Sequence, residues 1–216
     1  MTQTEPTPQE EPKRYPIITP MDPERFPILE MSSQPCSIPI SVEDEQAIEF
    51  MDSLLNELDE EAAGLAAIQI GYPRAIFLLR NGVGKDGKPE NNVYINPTIV
   101  SVSKEQKNSG EACLSLPGMG ARFKRPKSVT LQYFDLNGQT YTETFTNFWS
   151  RAVMHEMDHL NGTLISKHLE QTIAKQPSRT SFGMRVTPQR RNVIEKRRAA
   201  NKRAKKTRRR MKACGR

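Results

Sequence analysis

The segment MHEMDHLNG, residues 154–162, holds two of the three histidines of this 216-residue chain, and they stand four residues apart. On a helix, residues four apart lie one turn apart on the same face, so His155 and His159 can bind one metal ion. Glu156 is rotated by about 100° from His155 and can point at water near that ion without binding it. We therefore predict a metal-dependent hydrolase. A helix whose histidines are only half-buried and hydrogen-bonded is the simpler alternative.

The helix that carries this motif is predicted over about residues 146–161. Phe148, Ala152 and His155 fall on one apolar stripe of that helix, a pattern that favours a metal site over a purely structural role of the histidines. Gly162 follows directly and is typical of a C-cap.

Two histidines do not complete a metal site, so the third ligand separates the possible classes of enzyme. Metzincin-type peptidases place a histidine where this chain has Ile165, which cannot bind a metal. Gluzincin-type peptidases take a glutamate from a later helix, but Glu170 lies in a short segment without a convincing helical pattern. His168 is possible in principle, although its segment, ISKHLE, is typical of a strand. Cys113 would complete a Cys-His-His set with one tetrahedral position open for water, whereas a cysteine considered alone is more often structural.

Three blocks of sequence carry a resemblance to a known family. They are GLAAIQ at 64–69, EACLS at 111–115 and HEMDHLNG at 155–162. In order and separation they resemble the peptide deformylase family, over about residues 14–170. The resemblance implies an α+β fold of mostly antiparallel sheets around a central helix that bears HExxH. It also implies removal of the N-terminal formyl group from formylmethionyl nascent peptides, with release of formate.

The resemblance assigns the metal chemistry to four side chains. Cys113, His155 and His159 would hold one divalent metal ion per chain, expected to be Fe²⁺, with Zn²⁺, Ni²⁺ or Co²⁺ as alternatives. The metal would activate water near neutral pH. Glu156 would take the proton of that water and deliver it to the leaving amine.

Other matching residues would stabilise the transition state or support the site. The side-chain amide of Gln69 and the backbone N–H of Leu114 would donate to the developing oxyanion, although Gln69 could instead only satisfy buried backbone. Glu111, which we group with the substrate-binding residues, matches a buried acid that pairs with an arginine. In this chain that arginine is expected to be Arg125.

The substrate backbone would pair with the stretches around Ala63, Gly64 and Ala112, since a strand edge can accept an extended peptide. The chain departs from the family's usual residues at three positions. Ala62 and Ala112 replace glycine, and Met154 replaces glutamine. Ala62 would be strained only if its φ were positive, Ala112 could narrow the substrate pocket, and Met154 removes a polar neighbour of His155.

The remaining pattern is that of an α+β domain. Ser41 followed by Asp44 is typical of a capping box, and apolar residues then recur at helical spacing, so we predict a helix over about residues 42–59. The rest predicts, in chain order, a short buried strand RAIFLLR, a solvated loop NGVGKDGKPENN, a strand around VYINPTIVSVSK that is broken at Pro97, and a hairpin with its turn at Asn137–Gly138.

Composition bounds the cellular context. The acidic, proline-rich start of the chain has no apolar core, so we expect neither a secretory signal nor a transit peptide. No apolar run approaches the roughly 18 residues of a membrane span. Three widely spaced cysteines give no disulfide framework. We expect a cytoplasmic monomer, encoded by a bacterium, an organelle or a phage, with a disordered arm at 1–14 and a deformylase domain at 15–184.

Residues 185–216 form a strongly basic tail. They include fifteen Lys or Arg and one acid, Glu195, a local charge of +14 that leaves −7 for residues 1–184 of a chain whose net charge is +7. We expect residues 189–212 to bind ribosomal RNA by phosphate contacts. A disordered, solubilising tail is the alternative, and the lack of an apolar face disfavours a membrane surface. The predicted nucleic-acid-binding residues are Arg197, Arg198, Lys202, Arg203, Lys205, Lys206, Arg208, Arg209 and Arg210.

A different class of function also fits the sequence. The two glycine-to-alanine changes and the basic tail are compatible with a non-catalytic RNA- or ribosome-binding protein on a deformylase-like scaffold. The presence of Glu156 and Gln69 favours an enzyme.

Overall fold

The computed structural model of the protein describes residues 17–58, 62–84 and 89–174, with side chains as far as residue 170. The predicted arm at 1–14 and the basic tail at 185–216 lie outside the described residues. In the part that is described, no helix is both long and apolar enough to cross a membrane.

Seven strands form two antiparallel sheets. The first sheet has five strands in the order β1-β2-β3-β6-β7, and the second consists of β4 and β5. The strand bounds are β1 Gly64–Ala66, β2 Ile76–Val83, β3 Pro89–Val102, β4 Gln106–Ala112, β5 Gly120–Pro126, β6 Ser128–Phe134 and β7 Thr140–Thr146. The α-helices are α1 Val42–Glu57, α2 Asn147–Leu160 and α3 Ile165–Ala174, and short 3₁₀ turns lie at Phe26–Glu30 and Ala67–Ile70.

Helix α2 is central to the architecture. It contacts β1, β2, β6 and β7 of the large sheet and β5 of the small one. Val153, Met157 and Leu160 bury one face of α2 against a cluster that includes Phe77 and Leu131 of the large sheet. Burial of this face fixes the helix between the two sheets, so the predicted α+β fold around a helix that bears HExxH is confirmed.

Local signals in the sequence account for two element boundaries. The Ser41 side chain accepts a hydrogen bond from the Asp44 backbone N–H, and the Asp44 carboxylate accepts one from the Ser41 N–H, so the capping box at the start of α1 is confirmed. Gly162, with φ of 65°, follows α2, and a Cβ there would overlap the carbonyl oxygen of Glu30. Only glycine fits this position.

The hairpin prediction is also confirmed. Strands β6 and β7 pair in continuous antiparallel register, from Ser128 opposite Thr146 to Phe134 opposite Thr140. Asp135 closes the turn, because its carboxylate accepts hydrogen bonds from the backbone N–H groups of Asn137 and Gln139.

Three predictions about secondary structure were wrong. ISKHLE is not a strand but the start of α3, because burial of Leu164 and Ile165 against Phe123 overrides the β-propensity of the segment. The predicted loop over 81–92 is shorter, since polar strand ends pair across it, with Gly82 opposite Glu90. Pro97 does not break β3, which continues through an irregularity beside it, where Asn96 has φ of 48°.

Candidate functional site

The three predicted metal ligands come together in the structure. Cys113 follows directly on β4, while His155 and His159 lie one turn apart on α2. The Cys113 Sγ is 3.2 Å from the His159 Nε2, and the three donor atoms lie within 4.8 Å of one another. Donors bonded at about 2.0–2.3 Å around a tetrahedral ion are about 3.3–3.8 Å apart. The Cys-His-His group therefore fits one divalent metal ion.

The protonation of His159 suits a metal ligand. Burial, together with the neighbouring His155, holds the pKa of His159 well below its usual value. This shift favours the neutral imidazole, which has the lone pair that a metal requires.

A buried ion-pair network orients His155. The His155 Nδ1 lies 3.1 Å from Glu111 Oε2, which leaves its Nε2 for a metal. Arg125 donates to both oxygens of Glu111, at 2.8 and 3.0 Å, so the predicted Glu111–Arg125 pair is confirmed. Burial alone would raise the pKa of Glu111, but hydrogen bonds from His155 and Arg125 outweigh it and lower the pKa to about 2. Glu111 therefore stays charged and directs the histidine ring.

The network continues away from the metal ligands. Arg125 also makes an ion pair with Asp158 at 2.7 Å, and the same Asp158 oxygen lies 2.7 Å from the His168 Nε2. His168 stacks on Phe123, and the Arg125 guanidinium lies 4.6 Å from the centre of that same ring. His168 is therefore part of the support for the site rather than of the ligand group.

Glu156 contributes a buried carboxylate to the site. It is buried and lines the main cavity, and its Oε2 has no hydrogen-bond partner among the described residues. Burial raises the pKa of Glu156 to about 7. A carboxyl group with a pKa near the operating pH can both accept and donate a proton.

Gly64 makes room for this carboxylate. A Cβ at residue 64 would lie 2.8 Å from Glu156 Oε1 and 2.7 Å from the Leu79 Cδ2. If Glu156 is catalytic, as proposed below, we expect Gly64→Ala to lower kcat/KM for the hydrolysis by about 10²-fold. The added methyl group would displace Glu156, and a displacement of about 1 Å can reduce the rate by that factor. Gly120→Ala is the matched control, since a Cβ there meets only an ordinary contact at 3.6 Å. Equal kcat/KM for the two variants would contradict this role of Gly64.

Gln69 and Leu114 both line the cavity beside Cys113. The Gln69 side chain is buried, and its Oε1 accepts a hydrogen bond from the Ala66 N–H at 2.9 Å, while its Nε2 donates to Ser115 Oγ at 3.1 Å. These contacts satisfy buried backbone and also fix the side chain. A second N–H of the Nε2 group is left for another acceptor.

The cavity has a volume of about 430 Å³ and lies between two strand edges. Ala63 and Gly64 line one side, where β1 is the terminal strand of the large sheet. Residues 110–112 line the other side, where β4 pairs only with β5 among the described strands. Phe148 and Ala152 of α2 add apolar surface.

The three departures from the family's usual residues fit this geometry. Ala62 has no positive φ, since the positive-φ residues other than glycine in the described ranges are Asn96 and Asn147. Ala112 is exposed at the cavity. Met154, a residue of α2, packs against the core cluster of the large sheet. The Nδ1 of His155 is hydrogen-bonded to Glu111 and not to residue 154.

Sequence reasoning missed three residues of the site. Ser115 fixes Gln69, Asp158 fixes Arg125, and Arg151 lines the cavity. Ser115 lies two residues after Cys113, and Asp158 lies one residue before His159. Both are within the three motif blocks, so their positions could have indicated a role in the site. Arg151 lies one turn before His155 on α2, so helical spacing could have placed it near the site as well.

Comparison with known proteins identifies the family. The family model described as polypeptide deformylase matches residues 16–175. The chain belongs to the peptide deformylase family. The peptide deformylase of Borreliella burgdorferi is 35% identical over 131 residues, which cover 60% of this chain and 77% of that relative. Peptide deformylase 1 of Nostoc sp. is 34% identical over 156 residues, which cover 69% of this chain and 80% of that relative.

Solved deformylase structures have the same fold. The peptide deformylase from Thermotoga maritima superimposes with a TM-score of 0.60 at 27% identity, covering 71% of this chain and 95% of that one. A class I type b peptide deformylase from Acinetobacter baumannii with Met-Ala-Ser bound gives a TM-score of 0.60 at 26% identity, covering 70% and 96%. This deformylase is thus a metal-dependent hydrolase that removes the N-terminal formyl group from nascent peptides.

Proposed function

We propose that the cavity binds N-formylmethionyl peptides and that Glu156 is the general acid and base of their hydrolysis. The observation that carries the proposal is a buried, unpartnered carboxylate oxygen beside three metal-ligating atoms. We propose Fe²⁺, held by Cys113, His155 and His159, as the native ion, with Zn²⁺, Ni²⁺ or Co²⁺ able to replace it. When bound, the ion supplies Lewis acidity and lowers the pKa of nearby water.

The residues of the chain perform the proton transfers and hold the substrate. Glu156 takes a proton as the water oxygen bonds to the formyl carbon, and it delivers that proton to the amide nitrogen as the C–N bond breaks. Gln69 Nε2 and the Leu114 N–H donate to the formyl oxygen while it carries negative charge. Formate and a peptide with a free amino terminus leave.

The two strand edges account for binding of the rest of the substrate. Ala63 and Gly64 on one side and Ala112 on the other pair with an extended backbone, while Glu111 stays bound to Arg125. The methionine side chain packs against Phe148 and Ala152. The Acinetobacter baumannii relative was solved with Met-Ala-Ser bound, which supports a site for peptides that begin with methionine.

The function is tested by formate release from formyl-Met-Ala-Ser. Protein prepared anaerobically with Fe²⁺, or with Ni²⁺ for stability in air, is expected to release one formate per peptide. Removal of the ion by a chelator is expected to abolish turnover, and its return to restore it. Metal-loaded protein that releases no formate would contradict the proposal and favour the non-catalytic ribosome- or RNA-binding alternative.

We further propose that the basic tail directs a monomeric, cytoplasmic enzyme to ribosomes. Its charge of +14 supports phosphate binding, and the domain it serves would span residues 15–184. The test compares sedimentation of intact protein and of residues 1–184 with ribosomes across a salt series. The intact protein is expected to co-sediment at low salt and to be released as salt rises. Equal sedimentation of the two forms would contradict this role.

A further inference from the structure

A second cavity of about 280 Å³ lies next to the active-site cavity. Lys107 and Ser109 of β4 line one wall, Arg125 and Lys127 at the end of β5 another, and the start of α2 closes it. Phe148 and Arg151 line both this cavity and the catalytic one. The two cavities are therefore contiguous along α2.

The second cavity is positively charged. No acidic residue lines it, although four basic residues do. Arg125 is neutralised by Glu111 and Asp158, and Lys127 pairs with Glu105 at 3.0 Å. Lys107 and Arg151 have no ion-pair partner among the described residues. Arg151 is half-buried, with its guanidinium 5.1 Å from the centre of the Phe148 ring.

The course of β4 determines what can reach these charges. The formyl group must lie at Cys113, at the end of β4, so an extended substrate that follows the strand edge runs from Cys113 back toward Lys107. Side chains of an extended chain alternate in direction, and each residue advances about 3.3 Å. The third residue therefore points to the same side as the first, about 7 Å further along. With the first residue in the catalytic cavity, the third points toward the second cavity, whose walls include Lys107 and Arg151.

Resting on the proposed function, we propose that Lys107 and Arg151 form a subsite for the carboxylate of an acidic third residue in the formylated peptide. The cavity has no counter-charge of its own, and a glutamate at that position supplies it. Ser109 and Asn147 add polar groups to the same walls. The subsite selects among nascent chains by sequence, and it contributes nothing to the hydrolysis itself.

The test uses two amidated peptides, formyl-Met-Ala-Glu-Ser and formyl-Met-Ala-Gln-Ser, which differ only in one charge. We expect kcat/KM to be about fivefold higher for the glutamate peptide at low ionic strength, since partly exposed ion pairs contribute modestly. The ratio should fall toward one in high salt. The Lys107→Gln/Arg151→Gln variant should also give a ratio near one, whereas Lys127→Gln should keep most of the preference because Glu105 already pairs with Lys127.

The outcomes distinguish failure of the subsite from failure of the proposed function. A ratio of one in the unaltered enzyme, with formate released from both peptides, would overturn the subsite and leave deformylation intact. No formate from either peptide would overturn both. If Arg151→Gln lowers the rate for all peptides, Lys107→Glu decides alone, because its carboxylate offsets the charge of Arg151 and should bring the ratio of kcat/KM values toward one. An unchanged glutamate preference in Lys107→Glu would contradict the proposal.

Discussion

Glu156→Gln is expected to lower kcat for formyl-Met peptides by about 10²–10⁴-fold, the range by which a positioned acid or base accelerates a reaction. Glutamine has nearly the same shape as glutamate, but its amide cannot take a proton from water. KM and metal content should stay close to those of the unaltered enzyme, because Glu156 does not belong to the Cys-His-His group. Steady-state formate release and metal analysis of the same preparation measure both quantities.

The matched control is Glu49→Gln, which makes the same change on the exposed face of α1. It should leave kcat unchanged. A Glu156→Gln variant that keeps metal and turns over at more than a tenth of the normal rate would exclude Glu156 as the acid-base group. A variant that loses its metal would instead indicate that the carboxylate stabilises the site.

Arg125→Met is expected to lower the free energy of unfolding by about 3–5 kcal/mol, because it leaves two carboxylates without their buried cation. Glu111 and Asp158 both pair with this guanidinium, which is 6% exposed. Metal affinity should fall by about 10–100-fold, since Glu111 would no longer be fixed against His155. Urea unfolding and competition with a chromogenic chelator measure the two effects.

Arg122→Met on the same strand provides the control, since Arg122 is exposed and lies opposite Gly110 in the pairing of β4 with β5. If Arg125→Met does not fold, the pair Glu111→Gln/Arg125→Met keeps the prediction measurable, because removing both charges should cost less than removing one. A stability of Arg125→Met equal to that of Arg122→Met would contradict the role of the network.

The sequence predicts those features that depend on local spacing. The capping box at Ser41, the hairpin at Asn137–Gly138 and the shared helix face of His155 and His159 all follow from residues within a few positions of one another. Cys113 could be predicted as the third metal ligand only because no other ligand fitted and because the chain resembles a known family.

Features that depend on strand register and packing were harder to predict. Ser115 meets Gln69 across 46 residues, and Asp158 meets Arg125 only because α2 packs on β5. The start of α3 was predicted as a strand because the β-propensity of the isolated segment favours a strand, whereas burial of Ile165 in the core stabilises a helix. In each case, a contact between residues distant in the sequence outweighs the local signal.

The two strand edges that border the catalytic cavity have a consequence for timing. In the proposed binding mode a peptide terminus pairs with β1 and β4, and it can do so only while its own backbone N–H and C=O groups are free of other partners. A formylated residue already incorporated in a helix, or covered by a folded domain, would have to unfold before it could enter. The proposed binding mode thus leaves this hydrolase a brief period in which to act, between the appearance of a nascent terminus and the onset of its folding.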